Sequence, residues 1–382
     1  MPLRYRRDIA RGVTDAVTNT KTAYHIHNDQ GWTFRMTKIV TLYNHKGGVS
    51  KTTTTFNLAH AIAEKFNTKV LMVDADPQCN LTELALSQLI EALDVKSAQE
   101  GQEYPLPGTT ILEALSPRFI GDRSTVDVDE IELLKVNGDT ENVFLFRGDI
   151  ALSDSEDTLS QAHSMRTTND LHQKRNYVAI HDMLRRLGEK HDFSHILVDV
   201  GPSAGALTRA CFLAADMFMV PVFPDRFNYQ AIGSLSQIIG KWILEHAAIV
   251  EDFKKLSLNV AHGKPEFRGI IVQRFQKYGG SPKPAFDHWM KLIPQRVISD
   301  LMPSLVAASG DKGIVSEACW TEPTVAEIAE FASLAPMMLT WGTPVWKLTS
   351  QQTGWSGSVW DQRSEAMETF KRLFFDLAEI AK

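Results

Sequence analysis

The chain has 382 residues, 43% of them hydrophobic, enough to bury a large core in one elaborated domain or two. No stretch approaches the ~18 uninterrupted apolar residues of a membrane span, and the basic start, Met1 to Ala10, lacks the apolar run of a secretory signal. The net charge of −6 is uneven: residues 89–142 hold twelve Asp/Glu against four Lys/Arg, and residues 1–35 hold six Lys/Arg against three Asp, so contact with nucleic acid requires a local patch rather than a global field.

Residues 1–36 precede the first expected strand. Ile9 to Val17 is expected to form a short helix with Arg4, Arg6, Arg7 and Arg11 around it, too short for a helix-turn-helix. This basic stretch is either a packing or disordered extension or an arm for nucleic acid or a partner. Ile39-Val40-Thr41-Leu42-Tyr43 then reads as a strand, and Thr54 to Phe66 as a helix with Phe56, Ala59, Ile62, Ala63 and Phe66 on one face. Between them runs Asn44-His45-Lys46-Gly47-Gly48-Val49-Ser50-Lys51-Thr52-Thr53. Strand, glycine turn, lysine and hydroxyls, then helix is how a chain builds a phosphate cradle. The first helical N–H groups lack partners and sit at the positive end of the helix dipole. Gly47 and Gly48 let the backbone approach an anion, Lys51 can reach terminal phosphates, and the Thr52 hydroxyl can hold Mg²⁺. The common phosphate-loop pattern asks for glycine where this chain has His45 and Ser50.

Val70 to Val73 is a strand leading into Asp74 and Asp76, followed by Pro77-Gln78. The two carboxylates are expected to face opposite sides and to do different work. Residues 83–142 form an acidic insertion. Ser97 to Gly108 is polar and turn-rich and Asp122 to Glu132 acidic, which suits a partner-docking surface or a solvated elaboration. Val143 to Phe146 reads as a strand, and Leu152 to Met165 and Val178 to His191 as helices, the latter with Ile180, Met183, Leu184 and Leu187 on one face. His195 to Val198 is a hydrophobic strand ending in Asp199, the pattern of a carboxylate that holds Mg²⁺ against phosphates. Gly269 to Gln273 is a central strand and 279–285 a loop. Met367, Phe370, Phe374, Leu377 and Ala381 give a final helix packed on the domain; Glu365, Glu368, Asp376 and Glu379 interrupt the basic face a membrane helix would need. Cys79, Cys211 and Cys319 are far apart and without a Cys-x-x-Cys pair, which suits reduced thiols in a cytosol and leaves no ligand set for an iron–sulfur cluster. Strands alternating with helices imply an α/β fold: a mostly parallel, twisted sheet flanked by helices, with a ligand at the carboxyl ends of its strands.

The run Lys46-Gly47-Gly48-x-x-Lys51-Thr52-Thr53 resembles the deviant Walker A motif of the ParA/MinD family of dimeric P-loop ATPases, and Asp74-x-Asp76-Pro77-Gln78, Asp199 to Ser203, Ala214 to Val222 and Tyr229 to Leu235 resemble that family's later motifs in order. The resemblance implies ATP and Mg²⁺. It makes Lys46 a residue that crosses a homodimer to the partner's nucleotide, Asp76 the residue that orients the attacking water, and Asp74 a support for the Mg²⁺ shell of Thr52 and Asp199. Lys46, Lys51 and Asp76 are the implied catalytic set. Gly47, Gly48, Val49, Ser50 and Thr53 complete the nucleotide loop, and Gln273 falls near the adenine. Leu292-Ile293-Pro294 resembles the family's last strand. Where the family usually reads Asp-Cys-Pro-Pro-Ser, Gly201 replaces one proline here. The implied organisation is a basic extension over 1–36 and an ATPase domain over 37–382.

By the same resemblance the chain is a ParA-type ATPase whose ATP-bound sandwich dimer cycles on and off nonspecific DNA in plasmid or chromosome partition. A ParB-like or other partner would activate it. Localisation would be cytoplasmic, nucleoid-associated if DNA is bound, and a membrane partner is not expected. The candidate DNA residues are Arg4, Arg6, Arg7, Arg11, Lys371 and Arg372. One alternative is a nucleotide switch serving a protein complex in phage defence or assembly, or a membrane-bound partner. Another is a metabolic ATP-using ligase on the same fold, in which a lysine acting across a dimer would have no task.

Overall fold

In the computed structural model, which describes residues 36–136, 142–278 and 281–382, the apolar runs of the sequence come together as neighbouring strands. β1 (Lys38–Leu42), α1 (Lys51–Phe66) and β2 (Val70–Ala75) come first, followed by α2 (Asn80–Ala85), α3 (Ser87–Glu100), α4 (Ile111–Phe119), β3 (Leu134–Lys135) and β4 (Val143–Phe146). The middle of the chain gives α5 (Ser155–Ser164), α6 (Leu171–His191), β5 (His195–Val200), α7 (Ala206–Ala214), β6 (Met217–Val222), α8 (Arg226–Ala247), α9 (Val250–Lys255) and β7 (Glu266–Phe275). A hairpin of β8 (Lys277–Tyr278) and β9 (Ser281–Pro282) leads to α10 (Pro284–Arg296), α11 (Met302–Ser309), β10 (Thr324–Ala329), α12 (Leu334–Trp341), α13 (Ser350–Thr353) and α14 (Gly357–Ile380).

Eight strands form one sheet in the order β10-β7-β6-β1-β5-β2-β4-β3. Its neighbours pair in parallel except for β3, which runs antiparallel to β4 at one edge. A parallel sheet is covered on both faces, so its strands are apolar throughout rather than alternating; every residue of β2, β5 and β6 is buried. One face packs Leu184 of α6, Phe212 of α7 and Ile239 of α8 against Phe146 and Val198. The other packs Phe56 and Ile62 of α1 with Phe374 and Leu377 of α14. From β1 the chain turns first to β2 on one side and later to β6 on the other. That reversal opens a crevice at the carboxyl end of β1.

Residues 83–142 divide into two kinds of structure. α3 buries none of its residues. The acidic stretch beyond it is fastened down: Val126, Val128 and Ile131 enter the core, while Arg186 and Lys190 of α6 donate to the Val126 and Val128 carbonyls at 2.6 and 2.8 Å. Lys190 also pairs with Asp129 at 3.0 Å. The carboxylates face outward because the apolar residues between them face in.

One expected strand is absent. Leu292, Ile293 and Pro294 belong to helix α10. A short apolar triplet does not distinguish strand from helix, whereas Phe286, Met290, Ile293, Val297 and Leu301 recur every three or four residues and all pack on the core. Pro284 stands in the first turn, where its missing N–H costs nothing, and Pro294 is followed by a π turn over Val297–Leu301 that carries the helix onward. The last strand is β10 instead. The expected helix over Leu152 to Met165 begins as a 3-10 turn over Ile150–Asp154. The helix expected from Val178 starts at Leu171, capped by the Asp170 carboxylate accepting from the Gln173 N–H at 3.2 Å. The expected Ile9–Val17 helix and the arginines around it lie outside the described residues. Among the described residues, no helix is long and apolar enough to cross a membrane.

α14 is the packed final helix: Met367, Phe370, Phe374, Leu377 and Ala381 are buried. Lys371 is tied to Glu64 of α1 at 2.9 Å, and Lys347 joins the same carboxylate at 3.2 Å. One of the two expected basic residues on this helix, Lys371, is thereby ion-paired within the fold.

Candidate functional site

The loop between β1 and α1 is pinned before it turns. Asn44, buried at the strand end, donates from Nδ2 to the Pro221 carbonyl at 2.9 Å and accepts from the Lys46 N–H at 3.0 Å. Two residues then take left-handed backbone, Gly48 with φ 73° and Ser50 with φ 60°. Glycine does this freely and serine does not, so Ser50 is strained where the common pattern has glycine. Its hydroxyl makes no cap to α1, which leaves the first N–H groups of that helix available to an anion.

Lys51 is 7% exposed and folds back over the loop, donating to the Asn44 and Lys46 carbonyls at 3.2 and 3.3 Å. Burial lowers its pKa, while Asp199 and Asp76 pull the other way. Thr52 donates to Asp199 Oδ2 at 2.6 Å. Asp199 is fully buried and its other oxygen has no hydrogen-bond partner. Burial, and then the Asp74 charge opposite it in the β2–β5 register, push its pKa up to about 8.

Asp74 is also fully buried. Its Oδ2 accepts from both the N–H and the hydroxyl of Thr82, at 2.7 and 2.6 Å. Burial raises its pKa to about 6 despite those donors. Gly148 lies so close that a Cβ there would sit 3.0 Å from the carboxyl carbon. Asp74 and Asp76 do take different surroundings, but not because a strand alternates: residues two apart share a face. The chain leaves the strand at Ala75 and turns, and Asp76 accepts from the Gln78 N–H at 3.0 Å. A Cβ on Gly201 would lie 3.1 Å from Asp76 Oδ1, so the glycine that replaces proline leaves this carboxylate room.

Lys51, Thr52 and Asp76 open on a cleft of about 880 Å³ whose walls include the loop from Gly47 to Thr53, Asp76, Pro202, Gln273 and Arg274, with faces of α3 and α12 beyond, while Asp199 lies buried behind Thr52. Two buried carboxylates side by side, one with a bare oxygen, fit a divalent cation, because unpaired buried charge is costly. Among the described residues no three acidic, histidine or cysteine side chains form a ready-made metal cage.

Not every expected residue lines this cleft. Asp74 is turned into Thr82 behind it. Lys46 points elsewhere, its Nζ 5.9 Å from the ring centre of exposed Phe227. Gln273 lines the cleft but is 2% exposed and spends its Nε2 on the Thr54 hydroxyl at 2.7 Å. Several contributors escape the sequence reading, because tertiary packing alone recruits them. Thr82 and Gly148 enclose Asp74. Arg274 donates to the Gly48 carbonyl at 3.0 Å. Glu156 of α5 accepts from the Ala206 and Leu207 N–H groups at 2.6 and 3.3 Å, capping α7 where the segment after Asp199 ends. The Tyr43 hydroxyl donates to the Ser203 carbonyl in that segment at 3.2 Å.

Comparison with known proteins gives the following. Residues 37–251 match the family described as an AAA domain. The sporulation initiation inhibitor protein Soj of Bacillus subtilis is 29% identical over 204 residues, 53% of this chain and 64% of that protein. The chromosome partitioning protein ParA of Myxococcus xanthus is 29% identical over 222 residues, 58% of this chain and 63% of that one. The match therefore spans less than two thirds of either relative. Among solved structures, protein DIP2308 of Corynebacterium diphtheriae superposes with a TM-score of 0.60 at 21% identity, over 80% of this chain and 97% of that one.

Proposed function

The chain belongs to the AAA-domain family matched by residues 37–251, as a P-loop ATPase of the ParA/MinD type, and from that premise we propose that it binds and hydrolyses ATP with Mg²⁺ and that two ATP-bound copies associate and bind DNA until hydrolysis releases them. The observation that carries the reading is Thr52 on Asp199 beside a bare buried carboxylate oxygen, at the foot of a left-handed glycine loop. Thr52 and Asp199 would hold a divalent cation, which would offset charge on the terminal phosphates. Lys51 exchanges the carbonyls of Asn44 and Lys46 for phosphate oxygens, and the free N–H groups of α1 take up the rest. Asp76, with room beside Gly201, orients the attacking water; Asp74 supports the site through Asp199 rather than from within the cleft. Lys46, directed out of its own cleft, acts on the nucleotide of the second copy. Such catalysis is mainly positioning and charge neutralisation, so turnover is slow until a partner completes it.

The size of the protein with ATP and Mg²⁺ tests the dimer: wild type should associate, and Lys46→Ala should bind ATP yet stay monomeric. If that variant associates and hydrolyses ATP like wild type, the role of Lys46 is wrong. Titration of a mixed-sequence duplex with a slowly hydrolysed ATP analogue tests the DNA step. Binding should require the nucleotide and fall with salt at a log–log slope near −0.9 per phosphate neutralised. A second reading, a switch for a protein complex, draws support from α3, which has no fully buried residue and borders the cleft, and from the engagement of Lys371 by Glu64. Absence of DNA binding at micromolar protein selects it.

A further inference from the structure

β7 and β10 pair with Ile328 opposite Gln273 and Ala329 opposite Phe275, so Arg274 between them is squeezed out of the ladder. Its φ is 60°, a left-handed conformation that arginine rarely adopts. Bulges beside active sites re-aim side chains, and local strain of this kind persists where surrounding structure holds it for a purpose. The side chain is exposed, yet one guanidinium nitrogen reaches the Gly48 carbonyl of the nucleotide loop at 3.0 Å. The residue before it, Gln273, is fastened to Thr54 of α1. The end of β7 is thus stitched to the nucleotide loop and its helix at two successive residues.

Charge around the cleft sharpens the point. Lys51 and Arg274 are the cations among its lining residues, against Asp76, Glu83, Glu91, Asp94 and Glu330. Arg274 forms no ion pair among the described residues, and a guanidinium carries five N–H donors in a planar fork suited to phosphate oxygens. We propose that Arg274 is a second phosphate-binding cation of the nucleotide site, preset by the bulge and held ready by the Gly48 carbonyl, and that it selects nucleotides by the length of their phosphate chain. This rests on the nucleotide reading above.

The test uses the full chain: ATP and AMP binding in Mg²⁺ for wild type, Arg274→Ala, Arg274→Gly and Arg274→Lys, with melting curves taken without nucleotide. Removal of a charge-assisted contact should weaken ATP about tenfold in the Ala and Gly variants and AMP less than about twofold. Lysine should recover part of the loss. The Gly variant should melt no lower than wild type, since glycine accepts this φ. Ala and Gly variants that hold ATP as wild type does, or that lose ATP and AMP equally, overturn the role of Arg274 alone. Wild type that binds no nucleotide overturns the nucleotide reading and this inference together.

Discussion

The nucleotide loop region and the C-terminal third of the chain meet at one cleft but are built by opposite means. In the first, Asp76 and Asp199 sit at or just beyond strand ends and Lys51 and Thr52 open α1; Lys51, Asp76 and Asp199 are buried, and Thr52 donates to Asp199. In the second, a bulge at Arg274 and a left-handed Ala332 bring the far wall into place, and α14 stitches it to α1 through apolar contacts. One region stores charge at the cost of stability. The other supplies stability through apolar packing and keeps its ion pairs near the surface. Substitutions in the two should therefore move different measurements.

Lys51→Ala should have the largest effect and should confine it to function. Loss of its charge-assisted contacts should weaken ATP binding by about a hundredfold or more. The melting temperature without nucleotide should hold, because a desolvated cation is removed. A Lys51→Ala protein that binds ATP normally would break the contrast at its strongest point. Phe374→Ala should do the reverse. The ring is fully buried against Phe331 and Trp346, and its loss should cost about 3–5 kcal/mol in denaturant unfolding. Ser50→Gly should be smaller and of opposite sign, stabilising by about 0.5–1 kcal/mol by melting, because a side chain leaves a left-handed position.

The parts legible in the sequence were those in which neighbours along the chain are neighbours in space. Ile39 to Phe66 is a strand, a turn and a helix in sequence order, so the shape of the loop could be read directly. Asp199 stood out as the polar end of an apolar strand, and the phase of Met367 to Ala381 marked the buried face of α14. What escaped notice depends on distance. Nothing near Thr82 announces that its hydroxyl will hold Asp74, and nothing in Leu292-Ile293-Pro294 separates a strand from one turn of an amphipathic helix until Phe286 and Leu301 are counted with it. The anchoring of the acidic stretch escaped for a related reason. Composition counts its carboxylates but not Val126, Val128 and Ile131, which decide which way it faces.

Glu156 has a mechanical consequence. The segment from Gly201 to Gly205 is held at one end by the buried strand β5 and at the other by a carboxylate gripping the first turn of α7. Five residues clamped at both ends form a short beam with little slack. A displacement near Asp199 has two outlets: the glycines of this segment, and the Glu156 contact that joins it to α5 on the side of the sheet opposite α14.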